Sequence, residues 1–175
     1  IPGLAQSWMI SDDGLTYTFK LAEGVTFHDG TTMDAEDVKF SLDRARAEDS
    51  ANAQKALFAS IADVEAVDAS TVKITLSAPN GSLLFNLAWG DAVIVAPESI
   101  ENIKQAPVGT GAFKFANWVQ GDNITLEKNA DYWGTPAKLD KVTFKFISDP
   151  TAAFAAVMAE DVDVFAGYPA PENVP

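Results

Sequence analysis

The residues that could perform chemistry are few, and the single histidine is the first of them. The chain of 175 residues holds one His and no Cys, so a catalytic triad or a tetrahedral zinc site has almost nothing to be built from. Four carboxylates near His28 lack the D-x-[DN]-x-[DN]-G spacing of a calcium loop: Asp29, Asp34, Glu36 and Asp37. Because a turn and a helix start explain them, we predict no catalytic residue and no metal site.

The glycine-rich stretch Gly109-Thr110-Gly111 is the segment that most suggests a phosphate site. It lacks the Lys-Ser/Thr ending of a phosphate loop and the third glycine of a dinucleotide turn. It also precedes a strand pattern, whereas both of those motifs precede a helix. The sequence therefore predicts no nucleotide and no other cofactor.

An aromatic residue between two predicted elements is the best candidate for contact with a ligand. Trp89 lies in Leu87-Ala88-Trp89-Gly90-Asp91, where an exposed ring can form the floor of a cleft. Packing of this ring in the core is the alternative, because most aromatic side chains on alternating strands are buried. The residues alone leave both alternatives open.

The charge balance narrows the range of partners. With 12 basic and 25 acidic side chains the formal net charge is −13, which argues against nucleic acid or an anionic membrane surface as a partner. No stretch approaches the ~18 consecutive apolar residues of a membrane span. The chain starts at Ile1 without Met, and we expect a processed chain or a piece of a longer one.

Strand and helix patterns follow one another in the first half of the chain. Alternating apolar residues predict a half-buried strand over 16–21. Asp34 is expected to cap a helix whose apolar side carries Val38 and Leu42 and which ends near Arg46. Shorter patterns predict helices over 53–61 and 82–88, a hairpin of 64–67 with 71–76, a strand over 92–96 and a helix that opens at Pro97.

A small, uncharged stretch over 106–111 marks the expected domain boundary. Beyond it the pattern predicts a hairpin of 112–119 with 124–128, a strand over 142–147, an Ala-rich helix over 150–160 and a strand over 162–165. The last three form a βαβ pattern, which indicates a parallel sheet that is begun and not finished. Such a sheet leaves an open apolar edge, through which the chain is expected to take further residues or to self-associate.

Several segments together resemble one protein family. They are Leu4-Ala5-Gln6-Ser7-Trp8, Asp12 to Leu21, Val25 to Gly30 and Ala35 to Leu42 in the first block, and Pro107 to Phe113, Leu126 to Asn129, Tyr132-Trp133-Gly134 and Val142 to Ile147 in the second. Their order and spacing resemble the extracytoplasmic solute-binding proteins of ABC importers, family 5, the type that handles dipeptides, oligopeptides and nickel. Asp34 and Ala112 depart from the family pattern, which usually has Thr and Pro there.

The resemblance implies an α/β chain with part of a periplasmic-binding-protein-like type II fold. Residues 1–108 would form the small α+β extra domain of the first lobe, and residues 109–175 the incomplete start of the main α/β lobe. Family members are much longer and have two lobes, so the resemblance implies a fragment without the second lobe. We expect weak solute binding or none from such a fragment alone.

The function that the resemblance implies is capture of a small solute, in the first place a peptide, for delivery to a membrane permease. The compartment would be the periplasm, or the cell surface for a lipoprotein. Loop position selects the expected ligand-binding residues, of which Asp91 could pair with the amino terminus of a ligand: Trp89, Gly90, Asp91, Gly109, Thr110, Gly111, Gly167 and Tyr168. A sensor or chaperone-like module of the same fold stays open as an alternative, and so does an enzyme of unknown type.

Overall fold

The first layer of the protein is a four-stranded antiparallel sheet with the order β1-β2-β4-β3. The computed structural model describes residues 3–165. The strands are β1 (Ala5–Ile10), β2 (Thr16–Leu21), β3 (Ile61–Asp68) and β4 (Thr71–Leu76). In β2 the alternating side chains of Tyr17, Phe19 and Leu21 face the core as expected, and all three are buried. The predicted strand over 16–21 and the predicted hairpin are therefore confirmed.

Strand β1 carries no alternating pattern, which is why the sequence did not indicate it. Trp8, Met9 and Ile10 are consecutive apolar residues, and all three are largely exposed. Trp8 lies opposite Phe19, and Ile10 lies opposite Tyr17, so β1 is held by its pairing with β2. A strand at the edge of a sheet needs little burial of its own side chains.

Helix α1 (Ala35–Arg46) begins at a reciprocal cap. The Asp34 carboxylate accepts hydrogen bonds from the backbone N–H groups of Glu36 and Asp37 (2.8 and 3.4 Å), and the Asp37 carboxylate accepts from the Asp34 N–H (2.9 Å). These bonds satisfy backbone donors that lack a partner within the helix. The helix buries Val38, Leu42 and Ala45 against the first sheet and confirms the prediction made from Asp34.

The segment over 92–96 is not a strand, and this prediction was wrong. The Val95 N–H donates to Ser41 Oγ (3.0 Å), and Ser41 Oγ donates to the Val95 carbonyl (3.3 Å). The backbone of Val95 is thus satisfied by a side chain of α1 and needs no neighbouring strand. A short helix α2 (Leu83–Leu87) forms as expected, but the helices predicted over 53–61 and from Pro97 are single 3-10 turns, Lys55–Phe58 and Pro97–Ser99.

The second sheet has three antiparallel strands in the order β5-β6-β7. They are β5 (Phe113–Val119), β6 (Asn123–Lys128) and β7 (Lys141–Lys145). Gly121 takes a positive φ of 79° in the turn between the first two, a conformation that glycine adopts without strain. The predicted hairpin and the predicted strand after it are both confirmed.

The expected parallel βαβ unit does not form within the described residues. Helix α3 (Pro150–Met158) is present and is capped by Asp149, whose carboxylate accepts from the Ala152 N–H (2.7 Å). The Asp161 and Val162 N–H groups then both donate to the Ala156 carbonyl (2.9 and 3.3 Å). Because the chain stays in a tight turn after the helix, no strand follows over 162–165, and β7 has an open edge among the described residues.

The open edge of β7 bears on self-association. Lys141 and Lys145 lie at its two ends, and an antiparallel pairing of two copies centred on Thr143 would place these lysines opposite each other. Like charges in that arrangement are destabilising, and edge lysines are a common guard against such pairing. Self-association through this edge stays a prediction, and repulsion between the lysines argues against it.

The hydrophobic core of the described residues lies within 17–96. Its buried members come from β2, β3, β4, α1, α2 and the segments that adjoin them. Among described residues after position 109, Ala153 is the one buried apolar side chain. On the second sheet Trp118 is 41% exposed and Phe144 is 55% exposed, although both lie on one row of the sheet with Ile124. The second sheet therefore has almost no core of its own.

A histidine joins the first half of the fold to the segment that leads into β5. The His28 N–H donates to the Gly109 carbonyl (2.8 Å), and the Gly109 N–H donates to His28 Nδ1 (3.3 Å). His28 Nε2 lies 2.9 Å from the Gly111 carbonyl. Since Nδ1 accepts, Nε2 must carry the proton and donate, which assigns the neutral tautomer.

Removal of the helix cap tests the account of α1. We predict that Asp34→Ala lowers the free energy of unfolding by about 1 kcal/mol, because backbone N–H groups lose their acceptor. Urea unfolding followed by circular dichroism measures this loss. Asp34→Ser, which can still cap, should recover most of it, and equal losses for both variants would contradict the assignment.

Acid unfolding tests the turn between β3 and β4. Hydrogen bonds from Thr71 Oγ1 (2.7 Å) and the Ser70 N–H (2.8 Å) lower the pKa of Asp68 to about 2. The pKa of Asp68 in the unfolded chain is about 4. Between about pH 2 and pH 4 the unfolded chain therefore binds more protons than the folded chain, so the free energy of unfolding decreases as the pH is lowered through this range. We predict that Asp68→Asn flattens this fall in urea unfolding, whereas Asp12→Asn, a change at an exposed residue, leaves its slope unchanged. An Asp68→Asn slope equal to that of the unmodified chain would be the contrary result.

Loss of the imidazole should loosen the second sheet selectively. We predict that His28→Ala raises hydrogen exchange of the amides over 113–128, since two side-chain hydrogen bonds worth roughly 1–2 kcal/mol together are lost. Amides in β2 and β4 should keep their exchange rates. Glu23→Ala, a change on an exposed side chain nearby, serves as the control, and unchanged exchange over 113–128 in His28→Ala would contradict the role of His28.

Candidate functional site

Two of the three groups of predicted site residues are described by the structure. Trp89, Gly90 and Asp91 lie on the loop after α2, and Gly109, Thr110 and Gly111 lie at the start of the second half. Gly167 and Tyr168 fall outside the described residues, so their role stays a prediction. The two described groups differ in how many of their polar groups already make hydrogen bonds within the fold.

Trp89 is partly packed and partly open. Its ring meets the Phe85 ring edge to face, with centroids 5.2 Å apart, yet Trp89 is 50% exposed and Phe85 is 64% exposed. Backbone bonds from the Trp89 N–H to the Asn86 carbonyl (3.2 Å) and from the Ala92 N–H to the Trp89 carbonyl (3.1 Å) hold the loop. The pair forms an aromatic surface that a ligand can contact.

An apolar cavity of about 620 Å³ lies beside this pair, between the first sheet and α2. Phe19, Leu42 and Ile74 form its inner wall, and Trp8 and Phe85 stand at its edge. Among the described residues of the lining, the indole N–H of Trp8 is the one side-chain hydrogen-bond donor. The cavity can therefore accept apolar groups but offers little to orient them.

Gly90 and Asp91 line a different, polar cleft of about 570 Å³ at the carboxyl end of α1. Its other polar walls include Arg44, Asp49 and Lys104. Sequence reasoning missed these three, because nothing in the sequence connects Arg44, near the end of α1, with Lys104. Tertiary structure alone brings the side chains into one cleft.

The loop over 88–94 is the wall that the cavity and the cleft share. Ala88, Ala92 and Ile94 line the apolar cavity, whereas Gly90, Asp91 and Val93 line the polar cleft. Residues 91–94 thus alternate between the two sides, and the Trp89 ring is exposed beside them. An arrangement of this kind can contact a ligand through an aromatic face, apolar groups and opposite charges together.

Gly109, Thr110 and Gly111 are already committed to the fold through their carbonyl groups. The Thr110 carbonyl accepts from Trp133 Nε1 (3.1 Å), and the Gly111 carbonyl accepts from Asn129 Nδ2 (3.1 Å) as well as from His28. Thr110 is buried. The segment therefore fixes the junction, and its positioning partners were not indicated by the sequence apart from the turn that contains His28.

The carboxylates around His28 and the α1 cap behave as structural groups. Burial raises the pKa of Asp29, but hydrogen bonds from Thr31 outweigh it and hold the pKa below its usual value. Burial raises the pKa of Asp37, and the neighbouring acidic groups raise it further. Within residues 3–165 no cluster of three or more His, Cys, Asp or Glu side chains is arranged to hold a metal. No helix in that range has the length and apolarity to cross a membrane.

Comparison with known proteins gives a consistent result along the whole chain. Residues 1–174 match the model of the bacterial extracellular solute-binding proteins, family 5. The chain is 42% identical over 174 residues to the glutathione-binding protein GsiB of Pectobacterium atrosepticum, covering 96% of this chain and 33% of that protein. Over 154 residues it is also 42% identical to GsiB of Escherichia coli strain K12, covering 83% of this chain and 30% of that protein.

Solved structures agree with the sequence relatives. The periplasmic binding protein AgaA of Agrobacterium tumefaciens R10, in complex with agropinic acid, superposes with a TM-score of 0.87 at 38% identity, over 92% of this chain and 34% of that one. The periplasmic binding protein DppA of Helicobacter pylori, in complex with the peptide STSA, gives 0.83 at 34% identity, over 92% and 36%. The fold is therefore part of a periplasmic-binding-protein α/β domain.

The chain spans about a third of the length of the relatives that it matches. The match nevertheless covers nearly every residue of this chain, with the motifs in the same order. The expectation that the sequence resembles part of a family 5 protein is confirmed. The chain belongs to the bacterial extracellular solute-binding proteins of family 5.

Proposed function

We propose that this chain is part of the solute-binding component of an ABC import system, which captures a small peptide-type solute and delivers it to a membrane permease. The family match over residues 1–174 is the observation that carries this proposal. Relatives named for glutathione binding and a neighbour in complex with a peptide support the peptide-type solute. The periplasm, or the cell surface for a lipoprotein, is the corresponding compartment.

The proposed mechanism is closure of two lobes around the solute. Residues 1–108 form the small extra domain, and residues 109–175 begin the main lobe; the separate sheets and the core confined to 17–96 support this division. A solute that makes more contacts in the closed form shifts the population toward it. The protein binds and releases the solute without chemical conversion.

The loop over 88–94 is the proposed solute-contacting surface. Trp89 offers an exposed ring, Gly90 leaves space, and Asp91 carries a carboxylate that can receive the ammonium group of a peptide. Gly109, Thr110 and Gly111 act mainly by fixing the junction between the two halves of the chain. Gly167 and Tyr168 complete the proposed set.

A solute panel tests the proposal. Short peptides, a nickel–histidine complex and an opine are added at millimolar concentration to a full-length protein that contains this chain, and thermal unfolding is followed. A bound solute stabilises the folded form by mass action, so a peptide should raise the unfolding temperature and be recovered unchanged. No shift with any member of the panel, or recovery of an altered solute, would contradict the proposed function.

Substitution of the exposed tryptophan tests the proposed surface. We predict that Trp89→Ala weakens binding of the peptide identified by the panel about tenfold, because the ligand loses an aromatic contact. Calorimetric titration measures the change. Trp118→Ala, at a tryptophan of similar exposure on β5, should bind as the unmodified chain does, and equal affinities for both variants would remove Trp89 from the surface.

A further inference from the structure

One dipeptide of the turn between β4 and α2 has a chemistry that the proposed function does not use. Asn80 is the one asparagine of the sequence that is followed by glycine. Asparagine is a thermolabile residue, because the backbone nitrogen of the next residue can attack its side-chain amide. Glycine leaves this nitrogen unshielded, since it has no Cβ. Asn80 is therefore the asparagine at which such an attack meets the least steric hindrance.

The backbone nitrogen of Gly81 is open to solvent. Gly81 is exposed, and a Cβ added to it would meet no atom within 4 Å. Its N–H makes no hydrogen bond with any residue in the described range 3–165. A backbone N–H that is neither buried nor hydrogen-bonded can lose its proton to hydroxide, as in hydrogen exchange. The nucleophile is therefore available without local unfolding.

The side chain of Asn80 is folded forward over the peptide that carries this nitrogen. Asn80 Oδ1 accepts from the backbone N–H of Ser82, two residues further on (2.9 Å). This hydrogen bond also polarises the side-chain carbonyl, which favours attack at Cγ. Nδ2, the nitrogen that leaves, is held within residues 3–165 by a single hydrogen bond, to Ser60 Oγ (2.9 Å).

The backbone of Asn80 is anchored to the core. Its carbonyl accepts from the Tyr17 hydroxyl (3.4 Å) and from the Leu83 N–H (3.2 Å). Tyr17 and Leu83 are both buried, and Leu83 is the first residue of α2. The folded protein thus keeps the two reacting groups beside each other, which removes part of the entropic barrier to their reaction.

We propose that Asn80 is a site of spontaneous deamidation, with Gly81 as the nucleophile. Hydroxide takes the proton of the Gly81 N–H, the nitrogen forms a bond to Asn80 Cγ, and the Cγ–Nδ2 bond breaks as Nδ2 takes a proton from water and leaves as ammonia. Water then opens the cyclic imide. Breaking the new N–Cγ bond gives aspartate, and breaking the bond from this nitrogen to the main-chain carbonyl carbon gives isoaspartate.

Deamidation changes the start of α2, which leads into the loop over 88–94. The carboxylate that replaces the amide cannot donate to Ser60. Isoaspartate also routes the main chain through Cβ and Cγ, which displaces the Asn80 carbonyl from the Leu83 N–H. Since α2 has only five residues, the loss of these contacts loosens the helix and the loop after it. The inference stands independently of the proposed function.

Peptide mass spectrometry follows the reaction in a full-length protein that contains this chain, during incubation in mildly alkaline buffer. The mass increase from amide to carboxylate should accumulate at Asn80 severalfold faster than at Asn102 and Asn117, which are exposed but are followed by Ile and Trp. Mildly acidic buffer should slow the reaction, because less hydroxide is present. Equal rates at the three asparagines would overturn the inference.

Gly81→Ala is the matched variant, because the added Cβ has free space and Gly81 does not take a positive φ. The unfolding temperature should stay the same, and the rate at Asn80 should fall severalfold because the methyl group shields the nitrogen. Gly3→Ala, which also adds a Cβ in free space, should leave the rate unchanged. An unchanged rate in Gly81→Ala would overturn the role of Gly81.

Hydrogen exchange measures the consequence for α2 and the loop. Aged protein, with Asn80 deamidated, should exchange its amides over 82–94 faster than fresh protein, while the amides of β2 keep their rates. Gly81→Ala protein aged for the same time should exchange as fresh protein does. Equal exchange over 82–94 in fresh and deamidated protein would overturn the effect on the loop.

Discussion

Burial of one face of the first sheet under α1 is the constraint on which the rest of the fold depends. Tyr17, Phe19 and Ile74 fill this face, and Val38 and Leu42 close it from the helix. This core ends near position 96, and a loop that is to hold a fixed position must be attached to it. The loop over 88–94 meets this condition through Ser41 and Asn52, two polar side chains that anchor its backbone.

The second sheet depends on the first in a different way. Its apolar row of Trp118, Ile124 and Phe144 remains largely uncovered in the described chain, so it gains little stability from burial. The imidazole of His28 and the carbonyl groups of Gly109 and Gly111 connect it to the first half instead. Val108 and Trp133 also pack against the core of the first half at this junction.

The sequence predicted those parts of the fold whose causes are local. The α1 cap and the β3–β4 turn follow from side chains within three residues of each other, and the buried face of β2 follows from a strict alternation. A partner distant in sequence decided one failure, because Val95 bonds to Ser41 and forms no strand. A tight turn after α3 decided the other, so that no strand follows over the described residues 162–165. The same limit applies to the candidate site, where the sequence placed Trp89 between two elements but left its exposure open. It gave no sign that Arg44 and Lys104 line one cleft.

The central claim is that the loop over 88–94 contacts the solute. Hydrogen–deuterium exchange of the chain, with and without a saturating short peptide, measures this contact directly because bound backbone is protected from solvent. The account predicts slower exchange over 88–94 and in the adjoining segment 44–53, with β5 and β6 unchanged. Protection confined to the second sheet, with the loop exchanging at its free rate, would contradict it.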